Sequence, residues 1–190
     1  FISDRGGEEN FYLAAADGSS REWKPVTTGG KGFMMQPAWS PDGKHFAHAD
    51  KFMKLSIVNV ETGETTTVDQ GEFDDGWERW GIQDYTWSPD NRWLAYTKME
   101  GSGNESIFLY SLDTKQATRA TSPMTEDFSP SFSPDGKYLY FLSHRTFSPI
   151  MDRIDQNHVF LDVCRPYLIV LKEGEASPFA PKDVVEPVKA

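Results

Sequence analysis

The sequence WSPDGK at residues 39–44 returns as WSPDNR at residues 87–92 and as FSPDGK at residues 132–137. The serines of the three copies lie 48 and 45 residues apart. A self-similar unit of this length is typical of propeller blades and of helical arrays. The repetition therefore predicts a modular fold, and the residues around the motif decide which kind.

The motif itself predicts a tight turn. Pro41 fixes the backbone torsion φ at the second position of a type I turn, and Asp42 suits the third position. Gly43 accepts the left-handed conformation that returns the chain. Asn91 replaces this glycine in the second copy and belongs to the few other residue types found at positive φ. We therefore interpret all three copies as structural turns.

The segments around the turns have the composition of β-strands. Aromatic and apolar residues flank each turn, and two more β-rich runs follow, as at residues 55–71, where they meet at Thr62-Gly63. No segment has an apolar 3.6-residue period long enough to predict a helix. Four antiparallel strands in about 45 residues match a propeller blade. The predicted fold is all-β, a β-propeller built of four-stranded antiparallel blades.

The strand pattern also predicts the organisation of the chain. We expect a partial blade at residues 1–30 and blades at residues 36–71, 84–121 and 129–181, the last with a long insertion at residues 144–165. This is a partial propeller of about three and a half to four blades, whereas closed rings have about four to eight. We therefore expect a single propeller fragment of a longer protein, which self-associates through its uncovered blade faces and strand edges.

Composition excludes several classes of function. The 190 residues carry a net charge of −10, which opposes binding to nucleic acid phosphates. The longest apolar stretch, PYLIVL at residues 166–171, is too short to span a membrane. Cys164 is the only cysteine, so it forms no internal disulfide, and we expect it to be a small buried hydrophobic residue.

A search for catalytic and metal-binding motifs is negative. The sequence has no G-x-S-x-G elbow, H-E-x-x-H helix, phosphate-binding loop or C-x-x-C pair. His45 and His48 stand three apart on one predicted strand, so they point to opposite faces and do not share a metal. The acidic segment around His158 fits no calcium-binding pattern and is interpreted as a solvated loop. The sequence therefore predicts no catalytic residue, no metal and no cofactor in this chain.

The connections between strands provide the candidate binding surface. In a meander, successive connections alternate between the two ends of the blade. The short turns therefore share one face, and the long irregular connections share the other, where binding is usual. We predict that this second face is the binding surface of the chain. The candidate substrate-binding residues are Trp77, Glu78, Arg79, Trp80 and Arg145. A competing interpretation is that the two tryptophans only pack against the rim.

These motifs resemble a known family. FISDRGGEENFYLAAADG at residues 1–18, the three SPDGK-type turns and WLAYTK at residues 93–98 resemble the repeats of TolB-type, WD40-like propellers. MTEDFSPSFSPDGKYLYFLSHRTFSP at residues 124–149 and RPYLIVLKEGEASPFAP at residues 165–181 are more specific. They resemble the last blade of the second propeller in tricorn proteases and their bacterial homologues.

The resemblance implies a function that the residues alone do not. It implies the non-catalytic propeller portion of a multidomain serine peptidase that trims oligopeptides, with the remaining blades and the catalytic domains as partners. None of the family's catalytic residues can be placed in this chain. Two functions stay open: gating or guiding peptides and supporting assembly in a tricorn-like peptidase, or a TolB-like protein–protein interaction module without proteolysis.

Overall fold

Regular structure in the described residues is entirely β. The structure is a computed structural model that describes residues 1–20, 22–35, 37–74, 81–146, 149–151 and 158–181. In these ranges the strands form four antiparallel sheets and one short hairpin. Within the same ranges no helix is long and apolar enough to cross a membrane.

Each sheet is one blade of a propeller. The first blade consists of β1 (Ile2–Ser3), β2 (Asn10–Leu13) and β3 (Lys24–Pro25). The second consists of β4 (Ala38–Trp39), β5 (His45–Ala49), β6 (Lys54–Asn59) and β7 (Thr65–Gln70). The third consists of β8 (Ile82–Trp87), β9 (Trp93–Met99), β10 (Glu105–Ser111) and β11 (Gln116–Arg119).

The fourth blade contains the insertion. Its sheet consists of β12 (Glu126–Phe132), β13 (Tyr138–His144) and β16 (Cys164–Val170). Between β13 and β16 the chain forms a separate hairpin of β14 (Pro149–Met151) and β15 (His158–Phe160). In the second and third blades the strand order follows the sequence order, so each is a simple meander. The predicted fold, a β-propeller of antiparallel blades, is confirmed.

The repeated motif forms the predicted turn in all three copies. The amide of Gly43 donates to the Ser40 carbonyl at 2.9 Å, and Asn91 and Gly136 make the corresponding bonds at 3.0 and 2.9 Å. These three residues have φ values of 69°, 61° and 69°. The left-handed conformation explains why glycine or asparagine occupies this position.

The serine and aspartate of the motif stabilise the turn with their side chains. Ser40 Oγ donates to Asp42 Oδ1 at 2.7 Å and accepts from the His45 amide at 3.0 Å. Asp42 Oδ1 also accepts from the Lys44 amide at 3.0 Å, and the same three bonds recur in the other two copies. The bonds from Ser40 and Lys44 hold the pKa of the Asp42 carboxyl below its usual value. The turn is therefore a self-contained unit.

Hydrogen bonds join neighbouring blades close to these turns. The Asp42 amide donates to Asn91 Oδ1 at 3.0 Å, so the asparagine that replaces glycine also links two turns. Trp87 Nε1 donates to the Ala38 carbonyl at 2.9 Å. The turns of adjacent blades consequently lie side by side on one face of the propeller.

Two first strands carry the same irregularity. The pairing of β8 with β9 and of β12 with β13 shifts at a bulge, where Asp84 and Ser129 have φ values of 52° and 53°. The amide and hydroxyl of Ser129 both donate to Asp84 Oδ2, at 2.8 and 3.1 Å. The two bulges thus bond to each other across the junction between the third and fourth blades.

The core lies in layers between the blades. Along β5, Phe46 and His48 face the first blade and Ala47 faces the third, because successive side chains alternate. The layer between the first and second blades contains Phe11, Val26, Met34, Phe46 and Val58. The layer between the second and third contains Ala47, Leu55, Ile57, Val68, Ile82, Trp87, Leu94, Tyr96 and Tyr110. The layer between the third and fourth contains Ala95, Ile107, Leu139 and Phe141.

The prediction that Cys164 is buried is wrong. Cys164 is exposed and begins β16, which lies at the edge of the fourth sheet. Tyr167 and Ile169, further along the strand, are the residues that pack against the third blade. The first three residues of β16 extend beyond this apolar layer, so their side chains face solvent.

Candidate functional site

The two ends of the blades differ in the length of their connections. We call the end that carries the SPDG-type turns and the third-to-fourth-strand turns the turn face. We call the opposite end, with the second-to-third-strand and blade-to-blade connections, the loop face. The insertion hairpin β14–β15 follows a second strand and therefore belongs to the loop face. Longer connections are concentrated on this one face, where a rigid scaffold commonly presents binding residues.

Four of the five predicted substrate-binding residues cannot be placed in this surface. Trp77, Glu78, Arg79 and Trp80 lie outside the described residues, so their role stays a prediction. Phe73, just before them, is described, and its ring packs against Gly101 in the next blade. A Cβ atom on Gly101 would lie 3.2 Å from this ring. The segment that leads to the candidate residues is therefore held against a neighbouring loop.

Arg145, the fifth candidate, is engaged within its own blade. Its Nη2 donates to both carboxylate oxygens of Asp127, at 2.8 and 3.0 Å, and its Nε donates to Ser143 Oγ at 2.7 Å. The guanidinium carbon lies 4.5 Å from the centre of the Tyr167 ring, which adds a cation–π contact. The Asp127 side chain is fully buried, whereas a third of the Arg145 side chain is exposed. A ligand at this position would meet a guanidinium that is already paired.

A second charged group, at the junction of the second and third blades, was missed by the sequence reasoning. Tyr96 Oη donates to Asp69 Oδ2 at 2.6 Å, and Lys98 Nζ lies 3.0 Å from both oxygens of the same carboxylate. Lys98 Nζ also lies 5.3 Å from the centre of the Phe108 ring. Tyr96 and Phe141 each lie eight residues after the serine of their turn. Aligning the repeats on this serine would have identified Tyr96 as a residue at a blade junction.

The Tyr96 hydroxyl gives stability a specific pH dependence. Burial, reinforced by Asp69, raises the pKa of this phenol above its ordinary value near 10. The raised pKa contributes stability below pH 10, and this stability is lost as the pH rises, because only the unfolded chain ionises there. Above pH 10, we expect the free energy of unfolding of wild type to fall by about 1.4 kcal/mol per pH unit relative to that of Tyr96→Phe.

The comparison is made by urea unfolding from pH 8 to 11.5 in both proteins. Near neutral pH the variant should be less stable by about 1–2 kcal/mol, since it lacks the bond to Asp69. Other tyrosines are unchanged, so their ionisation cancels in the difference. A difference that stayed constant across this range would show that Tyr96 ionises equally in the folded and unfolded protein.

Metal-binding geometry is absent from the part of the chain that the structure describes. In these residues no group of three or more His, Cys, Asp or Glu side chains is placed to hold a metal ion. His45 and His48 point to opposite sides, their rings 6.5 Å from Trp87 and 4.7 Å from Phe11 respectively. Most of the acidic segment around His158, including Asp152 and Asp155, lies outside the described residues.

Comparison with known proteins gives the family. Residues 1–189 match the model of the tricorn protease second beta propeller domain. A tricorn protease homolog of Saccharolobus solfataricus is 38% identical over 132 residues, which are 70% of this chain and 12% of that protein. A TolB homolog of Chlorobium luteolum is 33% identical over 154 residues, which are 78% of this chain and 32% of that protein.

A solved structure agrees with this match. The crystal structure of the tricorn protease has a TM-score of 0.73 and 26% identity to this chain, and the match covers 83% of this chain and 15% of that one. The chain thus spans a minor part of each of these relatives. Because the family model covers nearly every residue and the blades have the expected architecture, the chain belongs to the family of tricorn protease second beta propeller domains.

Proposed function

We propose that this chain is the non-catalytic propeller portion of a tricorn-like serine peptidase and that its loop face guides oligopeptides to a catalytic domain outside the chain. The observation that carries the proposal is the asymmetry of the two faces in a member of this family. On the turn face the three SPDG-type turns are short and held by their own side chains, whereas the loop face carries most of the long connections and the inserted hairpin. Such a surface suits contact with an extended chain of variable sequence.

The proposal includes a role in assembly. The inserted hairpin and the residue after it expose apolar side chains, among them Val159 and Leu161, at 45% and 52% of their full accessibility. Exposed apolar side chains on one projecting element favour contact with another protein surface. The partners that we propose are further propeller blades, the catalytic domains or a second copy of the protein.

Peptide length is the variable that tests guidance. We would assay the full-length protein that contains this chain with short and long fluorogenic peptides that share one cleavage sequence. Replacing Trp77 and Trp80 together by Ala should lower kcat/KM about tenfold for the long peptides, because buried aromatic contacts carry much of the binding energy. Short peptides should be cleaved as by wild type, and the isolated chain should have no peptidase activity.

The matched control is Trp39→Ala, which removes an exposed tryptophan from the turn face. This variant should leave both peptide classes unaffected. Equal losses for all peptide lengths, with a lower melting temperature, would instead favour the packing interpretation of Trp77 and Trp80. Wild-type kinetics on long peptides in a folded double variant would exclude a guiding role for these residues.

A second candidate function is a TolB-like interaction module without proteolysis. The likeness to the TolB homolog over most of this chain favours it. Under this function the loop face docks a protein partner and not a substrate. Absence of serine-inhibitor-sensitive peptidase activity in the full-length protein would select this candidate.

A further inference from the structure

One strand position faces the preceding blade at each of the three junctions. It lies eight residues beyond the serine of each turn and is occupied by His48, Tyr96 and Phe141. Its partners on the next strand are, in the same order, Ser56, Phe108 and Tyr167. At the second and third junctions the two positions hold aromatic rings whose centroids are 5.7 and 5.9 Å apart. At the first junction a histidine and a serine replace this pair, and a large apolar volume is missing.

A cavity occupies the place of the missing rings. It has a volume of about 310 Å³ and opens at the loop face between the first and second blades. Its lining includes His48, Ser56, the connection at residues 27–31, Met34 and Phe52. The volume is at the lower end of the range for small-molecule sites, which is about 300–1,000 Å³.

Ser56 gives this cavity an unmet hydrogen-bonding requirement. Its Oγ is fully buried and has no hydrogen-bond partner among the described residues. Buried hydroxyl groups in folded proteins nearly always have a partner, because an unpaired one loses its bonds to water without replacement. His48, also buried, has its Nδ1 3.2 Å from the Ala49 carbonyl, and burial lowers the pKa of its imidazole, so the ring is neutral at pH 7.

The charges around the cavity favour an anion of low charge. Lys31 and Lys54 line it, and neither takes part in any ion pair found among the described residues. Asp50 is the acidic residue of the lining, and its Oδ1 already accepts from the amides of Phe52 and Lys54 at 2.9 and 3.1 Å. The carboxylates of Glu8 and Glu9 lie beside the lining, where they accept from the amides of Gly32 and Met34 at 2.9 and 2.7 Å. Together with Asp50 they repel a doubly charged phosphate more strongly than a single carboxylate.

We propose that this cavity binds a small ligand that carries a carboxylate beside an apolar group. Lys31 and Lys54 attract the carboxylate, and Met34 and Phe52 contact the apolar group. The Ser56 hydroxyl, which is covered in the free protein, donates to the carboxylate once the side chains over it move aside. The C-terminal residue of a peptide and a free carboxylic acid share this chemistry. Binding at this cavity requires no peptidase activity.

Calorimetric titration of the full-length protein tests this assignment with four probes. N-acetyl-L-leucine supplies a carboxylate and an apolar group, and it should bind. Its amide and inorganic phosphate should bind about tenfold more weakly or not at all, since the charge-assisted bonds are lost or Asp50 repels the probe. An acetylated tripeptide that ends in leucine distinguishes the sources: tighter binding than N-acetyl-L-leucine assigns a peptide terminus, and weaker binding assigns a free acid.

Two variants locate the binding. Ser56→Phe restores the aromatic residue of the other junctions and fills the cavity, and Lys54→Met removes a charge but keeps the backbone bond to Asp50. Each should weaken binding of N-acetyl-L-leucine about tenfold. Lys44→Met, on the turn face, is the matched control and should bind like wild type.

Several results would overturn the assignment. These are no binding to wild type, equal affinity for the acid and its amide, phosphate binding as tight as the acid, or undiminished binding in Lys54→Met. If Ser56→Phe fails to fold, as judged by circular dichroism, Lys54→Met decides alone.

Discussion

Replacing Arg145 by alanine is expected to lower the free energy of unfolding by about 3 kcal/mol. The Asp127 carboxylate would remain fully buried with only hydroxyl donors, Ser143 Oγ and Thr125 Oγ1, in place of its cation. An uncompensated buried charge is among the most destabilising changes that a single substitution makes. Urea unfolding, with amide hydrogen exchange of β12 and β13 as a local readout, measures the effect.

Arg92 provides the matched control for this prediction. Its ion pair with Asp113 also joins two segments of one blade, but the side chains are 63% and 54% exposed. Arg92→Ala should therefore cost less than about 1 kcal/mol, as exposed pairs generally do. Equal losses in the two variants would mean that the burial of Asp127 does not make its pairing important for stability.

Gly63→Ala is expected to destabilise the protein by about 3 kcal/mol. Gly63 has a φ of 73°, and a Cβ atom there would lie 2.4 Å from the Val26 carbonyl oxygen of the first blade. The left-handed conformation costs an alanine about 1–2 kcal/mol, and the contact with a backbone atom forces the two blades apart. Thermal unfolding and urea unfolding of the variant give the loss.

Gly43→Ala separates these two causes. Gly43 has a similar φ of 69°, but no heavy atom lies within 4 Å of an added Cβ. This control should lose about 1 kcal/mol, the conformational cost alone. If Gly63→Ala were no worse than Gly43→Ala, the first and second blades would be able to move apart at this turn without cost.

The sequence predicted the parts of the fold that are determined locally. Proline at position 41 and glycine at position 43 are required by backbone torsions, so the repeated turns, the strands that flank them and the blade architecture could be predicted from residues close together in the chain. The resemblance to tricorn and TolB-type propellers, read from the same repeats, is confirmed by the family match.

Contacts between distant residues were not predictable in this way. Arg145 lies in the connection after β13, where sequence alone suggests an exposed loop residue. Its pairing with Asp127 depends on the register of β12 with β13, which a bulge shifts. The exposure of Cys164 depends on how far β16 extends past the neighbouring blade. The cavity beside Ser56 depends on the pairing of His48 with Ser56, where the third and fourth blades pair two aromatic residues.

The guiding role of Trp77 and Trp80 remains a prediction, because these residues are outside the described part of the chain. The group of Asp69, Tyr96 and Lys98 lies at the junction of the second and third blades, and its pairing depends on how two separate blades pack. Tyr96 and Phe141 each lie eight residues beyond the serine of their turn, so the repeats do carry a sequence signal for this position.

The bonds between adjacent blades also bear on the route by which the chain folds. The bonds from Asp42 to Asn91, from Trp87 to Ala38 and from Ser129 to Asp84 span 49, 49 and 45 residues. The entropy lost on closing a loop grows only with the logarithm of its length, so joining any two neighbouring blades has nearly the same entropic cost. Loop-closure entropy therefore favours no pair of neighbouring blades as the folding nucleus. Folding can begin at any of the three junctions and extend one blade at a time, as in other repeat proteins.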